Sequence, residues 1–78
     1  MDDRTPLAAL APGHSGEVAA LTAAGPMRRR LQDIGLISGT QVSCVLRAPA
    51  GDPTAYAIRG AVIALRREDA AHVLISGV

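Results

Sequence analysis

The stretch that decides the fold is residues 25–39, which read GPMRRRLQDIGLISG. Gly25 stands where a helix N-cap is expected, and Pro26 suits the first helical position because no N–H is needed there. Gly35 stands where a left-handed C-cap is wanted, and Gly39 marks a second turn. These start and stop signals predict a helix from Pro26 to residue 34.

The same stretch carries an apolar stripe of helical period. Met27, Leu31 and Ile34 recur at i, i+4 and i+7, which places them on one face. A chain this small has little apolar surface to spare, so we expect this stripe, with Leu36, to lie in the core.

Beyond the helix, the apolar period changes to two. In residues 40–48 it places Val42, Cys44 and Leu46 on one face and Arg47 on the other. Similar alternation, bounded by Gly and Pro, predicts further strands. The predicted strands are residues 15–22, 40–48, 54–59, 61–66 and 73–76, with structural turns at Gly35, Gly39 and Gly60.

Two short helical turns complete the pattern, at residues 6–11 and 67–72. Short antiparallel strands in a small chain usually curl into a barrel, because a flat sheet would leave edges exposed. The predicted fold class is mainly β: a small barrel of about five short strands with one or two short helices. We expect residues 1–78 to form a single domain.

Composition excludes several function classes. Tyr56 is the only aromatic residue and the formal charge is +1, which argues against a base-stacking or phosphate-binding surface and hence against nucleic acid. His14 and His72 lie far apart in sequence, Cys44 is predicted to face the core, and no Lys is present to serve a phosphate loop. We therefore expect neither an enzyme nor a bound cofactor.

The sequence also predicts the cellular location and whether a metal is bound. A single Cys allows no internal disulfide and no CxxC site, and the N-terminus is acidic where a signal peptide would be basic. No apolar stretch approaches the roughly 18 residues of a spanning helix. We expect a cytoplasmic protein that does not span the membrane. No HxH, ExxH or HxxE spacing occurs, so we also expect no metal site.

The run Arg28-Arg29-Arg30 is the most conspicuous surface feature. It is either a solvated helix face or a docking face for an acidic partner, because the guanidinium fork pairs bidentately with carboxylates. Three arginines are too few for tight nucleic-acid binding. The stiff loop over residues 49–53 is the second candidate contact, through Pro49, Asp52 and Pro53. The isomer of the Asp52–Pro53 bond is left open.

Three blocks carry a resemblance to a known family. They are RLQDIGLISG (residues 30–39), APAGDP (48–53) and RGAVIALR (59–66), in that order. Together they resemble the FeoA family, whose members are small cytoplasmic partners of the ferrous-iron transporter FeoB. The stretches 7–13 and 68–73 resemble the family's start and end. Ser38 departs from the family pattern, which often has Pro there.

The resemblance implies an SH3-like barrel and a non-enzymatic accessory role in ferrous iron uptake, through contact with the cytosolic part of a FeoB-type transporter. The same fold also forms the C-terminal domain of iron-dependent repressors, so the alternative is a regulatory domain acting in trans. A small RNA-binding or ribosome-binding barrel is the third hypothesis. Open strand edges would permit weak self-association.

Overall fold

A computed structural model describes residues 4–78. Its six antiparallel strands form one sheet in the order β1-β6-β2-β3-β4-β5, with two short α-helices and one 3₁₀ helix. The elements are β1 (Thr5–Pro6), the 3₁₀ helix (Leu7–Ala9), β2 (Ser15–Leu21), α1 (Gly25–Asp33), β3 (Gln41–Arg47), β4 (Thr54–Ile58), β5 (Ala61–Leu65), α2 (Arg67–Ala70) and β6 (Val73–Ser76).

The mainly β fold class is therefore confirmed, with one strand more than the expected five or so. The added strand is β1, only two residues long, which pairs with β6. Its residues Thr5 and Pro6 have no alternating pattern that could mark a strand, and Pro6 falls within the helical turn predicted for residues 6–11. Both predicted helical turns are shorter in the structure, at three and four residues.

Helix α1 spans Gly25–Asp33, one residue earlier at each end than predicted, and its N-cap is Ala24 rather than Gly25. Leu31 and Leu36 are fully buried, while Met27 and Ile34 pack against the core from its margin. The apolar stripe thus faces the sheet as its period indicates.

The core is aliphatic apart from Tyr56, its largest side chain, which is 1% exposed. Every element except β1 contributes to it. Its largest fully buried members are Leu7, Leu10, Leu31, Leu36, Ile58, Ile75, Val18, Val42, Val73 and Cys44.

Strand β3 departs from the alternation that its sequence predicts. Cys44 lies opposite Tyr56, but Leu46 lies opposite Ala55, so one extra residue is inserted as a β-bulge. Leu46 is consequently turned outward and is 66% exposed, and Arg47 takes the inward position. The expectation that Leu46 faces the core and Arg47 faces away is wrong, because a bulge reverses the alternation beyond it.

Two turns depend on residues in the left-handed region. Arg59 and Gly60 have φ of 51° and 84°, and they form the two-residue type I′ turn that joins β4 to β5. Gly35 has φ of 105°, and a Cβ there would lie 2.6 Å from Cδ of Arg59. Gly39, with φ of 94°, faces open space.

The remaining loop, residues 49–53, contains a cis Asp52–Pro53 bond, the isomer that the sequence left open. Within residues 4–78, neither α-helix has the length and apolar character needed to cross a membrane.

Candidate partner-binding site

The three consecutive arginines of α1 have different surroundings. Arg30 forms an ion pair with Asp69 of α2, whose side chain is only 9% exposed. Arg28 donates from Nη1 to the carbonyl oxygen of Leu21 at 3.2 Å. Arg29 is exposed, and among residues 4–78 its side chain has no hydrogen bond or ion pair. The run predicted as one docking face is therefore divided, since Arg30 joins the two helices.

A groove of about 340 Å³ lies between α1 and the end of β2. Strand β3 separates from β2 near Val18, whose backbone bonds to Gly39 and Thr40 instead. The next residues of β2 therefore pair with β6 on one side and have no strand on the side that faced β3. Ile37, which is 43% exposed, supplies apolar surface at the groove. The groove is lined by residues 18–21, Arg28, Gln32, Leu36, Ile37 and Ser38.

This groove combines apolar and basic surface at one place. A guanidinium and an amide, from Arg28 and Gln32, stand beside the aliphatic side chain of Ile37. Such an arrangement suits a segment that carries an apolar side chain next to a carboxylate.

In the predicted contact loop, residues 49–53, some of the polar groups already form hydrogen bonds within the chain. The carboxylate of Asp52 accepts the backbone N–H of Arg67 at 2.9 Å, and Arg67 donates from Nη2 to the carbonyl oxygen of Gly51 at 3.4 Å. Asp52 thereby satisfies one of the free N–H groups at the start of α2. Pro49 and Pro53 are exposed. Helix α2 is thus held by both predicted sites, through Arg30 and through Asp52.

Sequence reasoning missed one polar arrangement. Arg47 donates from Nη2 to the carbonyl oxygens of Leu10 at 2.7 Å and Ala8 at 3.4 Å, and the hydroxyl of Tyr56 donates to that of Leu7 at 3.3 Å. These bonds fix the 3₁₀ helix to the sheet. An arginine inside a strand was the available signal, but it becomes informative only once the bulge is known.

The remaining chemically reactive side chains do not converge. Cys44 is 2% exposed, and burial raises the pKa of its thiol. His14 is exposed, whereas His72 is half-buried with its Nδ1 at 3.1 Å from the hydroxyl of Thr22. Over residues 4–78 no three His, Cys, Asp or Glu side chains are grouped so as to hold a metal ion.

Comparison with known proteins covers nearly the whole chain. Residues 5–77 match the family model of the FeoA domain. A fusion of Fe(2+) transport protein A with the Fe(2+) transporter FeoB from Porphyromonas gingivalis is 35% identical over 63 residues, which are 77% of this chain. The match spans 8% of that fusion's length.

Solved structures show the same fold. An FeoA-like protein from Clostridium acetobutylicum is 28% identical and superposes with a TM-score of 0.89, over 97% of this chain and 88% of that one. The FeoA of Stenotrophomonas maltophilia, an SH3 domain protein solved with zinc, is 26% identical with a TM-score of 0.80, over 90% and 87%. A manganese-dependent transcriptional repressor shares the fold at 23% identity and a TM-score of 0.86, with all of this chain covering 44% of it. The expected SH3-like fold is confirmed.

Proposed function

The chain belongs to the FeoA domain family, and from that premise we propose that it is a non-enzymatic accessory of ferrous iron transport. It docks on the cytosolic part of a FeoB-type transporter and modulates it, as a single domain in the cytoplasm. The observation that carries this is the Porphyromonas gingivalis fusion, in which a relative of this domain shares one chain with a transporter. Covalent linkage holds two modules at a high effective concentration, which is useful where the separate modules must meet.

The docking surface that we propose is the exposed face of α1 with the groove beside it. The side chain of Arg29 has no hydrogen bond or ion pair within residues 4–78 and is therefore available to an acidic partner. Arg28 lines the groove. Its side chain forms one hydrogen bond, to the carbonyl of Leu21, so most of its guanidinium N–H groups remain available to another acceptor. Arg30 and Asp52 serve this surface indirectly, because both hold α2 in place.

Pro49 and Pro53 form a second exposed contact in this proposal. Both are held in a loop that is anchored through Asp52, so they present apolar surface at little cost in conformational entropy. We propose that they contribute less to binding than the arginines, because charge-assisted hydrogen bonds are stronger than neutral ones.

The test is a titration of the full chain against the purified cytosolic part of a FeoB-type transporter. The double variant Arg28→Ser/Arg29→Ser should bind roughly tenfold more weakly, because each arginine loses a charge-assisted contact. Arg66→Gln is the matched control, since the side chain of Arg66 is also exposed and forms no hydrogen bond or ion pair among the described residues. Equal affinities for the double variant and the wild type would disprove the docking surface, and no binding at all would disprove the partner.

The second candidate function is a regulatory domain acting in trans, which the repressor's shared fold favours. At 23% identity this likeness concerns the fold alone. Capture of a metal-dependent repressor in place of a transporter, from lysate of the source cells with this chain as bait, would select this function.

A further inference from the structure

Strand β5 is an edge strand of the sheet, and it lacks the features that usually prevent an edge from pairing with another strand. Among residues 4–78, β5 bonds to β4 along its whole length without a bulge, and to no other segment. Its sequence, Ala-Val-Ile-Ala-Leu, contains no charge and no proline, which are the usual protections of an edge. Val62 is 66% exposed and Ala64 is exposed beside it.

The hairpin geometry identifies which backbone groups are free. The two-residue type I′ turn makes Ile58 and Ala61 a hydrogen-bonded pair, and bonded and non-bonded pairs alternate along an antiparallel ladder. The odd-numbered residues of β5 therefore direct their N–H and C=O groups to β4. Val62 and Ala64 direct theirs outward, so four backbone groups form the free edge.

We propose that this edge binds the β5 edge of a second copy of the chain, antiparallel and about a two-fold axis at Ile63. In that register Val62 of each copy lies opposite Ala64 of the other, and four hydrogen bonds satisfy every free group on both edges. Shifting the register by two residues would pair only Val62 with Val62, or Ala64 with Ala64, and would leave half of the groups unpaired.

The side chains favour a second copy over an acidic segment from another protein. Leu46, Ala55 and Ala64 lie opposite one another across β3, β4 and β5 on the outer face. Pairing at Ile63 places the second copy's Val62 next to Ala64, which extends this apolar row across both molecules.

The flanking charges lie at the two ends of that register, outside the paired strands. Arg66 falls opposite the second copy's Gly60, which has no side chain, and Arg67 falls in line with the second copy's Arg59. The stem of Arg59 packs towards Gly35, and Arg67 donates to the carbonyl oxygen of Gly51, so each is engaged within its own molecule. Within Ala61–Leu65 no charged side chains face each other, because that strand contains none.

The area available implies a weak dimer. A standard interface buries about 800 Å² per partner, roughly a sixth of this molecule's 4625 Å², and a five-residue strand covers less. We expect a dissociation constant on the order of 0.1–1 mM. This proposal does not depend on the function proposed above, and it can be tested separately.

The experiment is an amide NMR concentration series on the full chain, from about 0.02 to 2 mM, with hydrogen exchange at both ends. We expect shift changes centred on residues 61–66, and slower exchange of the Val62 and Ala64 amides at high concentration. Ala64→Pro should abolish both, because it removes an outward N–H while leaving the β4 ladder intact. Val62→Lys should weaken dimerisation by about threefold, because it removes the apolar contact with Ala64 and places two lysines diagonally across the axis.

Val78→Lys is the matched control, since Val78 is 61% exposed and lies outside β5. It should leave the concentration dependence unchanged. The proposal is overturned if shifts show no concentration dependence up to about 2 mM, if they centre on another surface such as α1, or if both β5 variants dimerise as tightly as the wild type. Far-UV circular dichroism of each variant confirms that the comparison is made between folded proteins.

Discussion

Arg47 fixes the 3₁₀ helix to the sheet, and Arg47→Met should destabilise the protein by about 2 kcal/mol. Of its acceptors, only the carbonyl of Leu10, at 2.7 Å, is close enough for a strong charge-assisted bond, whereas Ala8 and Thr54 lie at 3.4 and 3.3 Å. A hydrogen bond from a charged group contributes about 1.5–3 kcal/mol, and Arg47 is half-buried. In a domain of this size, 2 kcal/mol lowers the Tm by roughly 8–16 °C.

The assay is urea unfolding followed by circular dichroism, with hydrogen exchange to locate the effect. The slope of the free energy against urea should not change, since the fold is kept. The Leu10 amide, which bonds to the carbonyl of Leu7 at 3.0 Å, should lose protection as the 3₁₀ helix loosens.

Arg29→Met is the matched control, because the side chain of Arg29 is exposed and forms no hydrogen bond or ion pair within the described residues. It should stay within about 0.5 kcal/mol of the wild type. If Arg47→Met also stays within that margin, or if the Leu10 amide keeps its protection, then Arg47 does not anchor the 3₁₀ helix.

Three further predictions concern the core, a turn and pH. Leu31→Ala should cost about 2–5 kcal/mol in urea unfolding, because the side chain is fully buried, and a loss below 1 kcal/mol would place it outside the core. Gly35→Ala should lower the Tm more than Gly39→Ala: both need positive φ, but only at Gly35 would the Cβ collide with Arg59, and equal losses would contradict this. Because burial raises the pKa of the Cys44 thiol, the folded state holds that proton more tightly than the unfolded state. Stability should therefore fall as the pH rises above about 8.5, and a Cys44→Ala variant that declines equally steeply would refute the assignment.

The sequence predicts this fold well where local chemistry decides the conformation. The Gly and Pro residues around α1 mark its ends, and the alternation in residues 54–66 marks the β4–β5 hairpin together with its turn at Gly60. In these places propensity, hydrophobic period and turn chemistry agree, so few alternatives remain.

The site is predicted less well, because its residues depend on contacts distant in sequence. Arg30 meets Asp69 across 39 residues, and Asp52 meets the backbone of Arg67 across 15. Neither separation corresponds to a helical or strand period, so a local pattern shows only exposed charges. The bulge before Leu46 cannot be predicted from the sequence either, because no residue type marks it. It nevertheless reverses the face on which each later side chain of β3 lies.

The pairing of β1 with β6 brings the two ends of the fold together. Thr5 lies directly opposite Ile75 in this ladder, and opposed residues in an antiparallel pair have Cα atoms about 5 Å apart. A surface loop of another protein could therefore receive residues 5–75 as an insertion without being forced open, and the chain could be circularly permuted with a short linker. Because the two ends are adjacent, a larger protein could be joined to this domain through either end or through both, and each connection would lie on the same side of the domain.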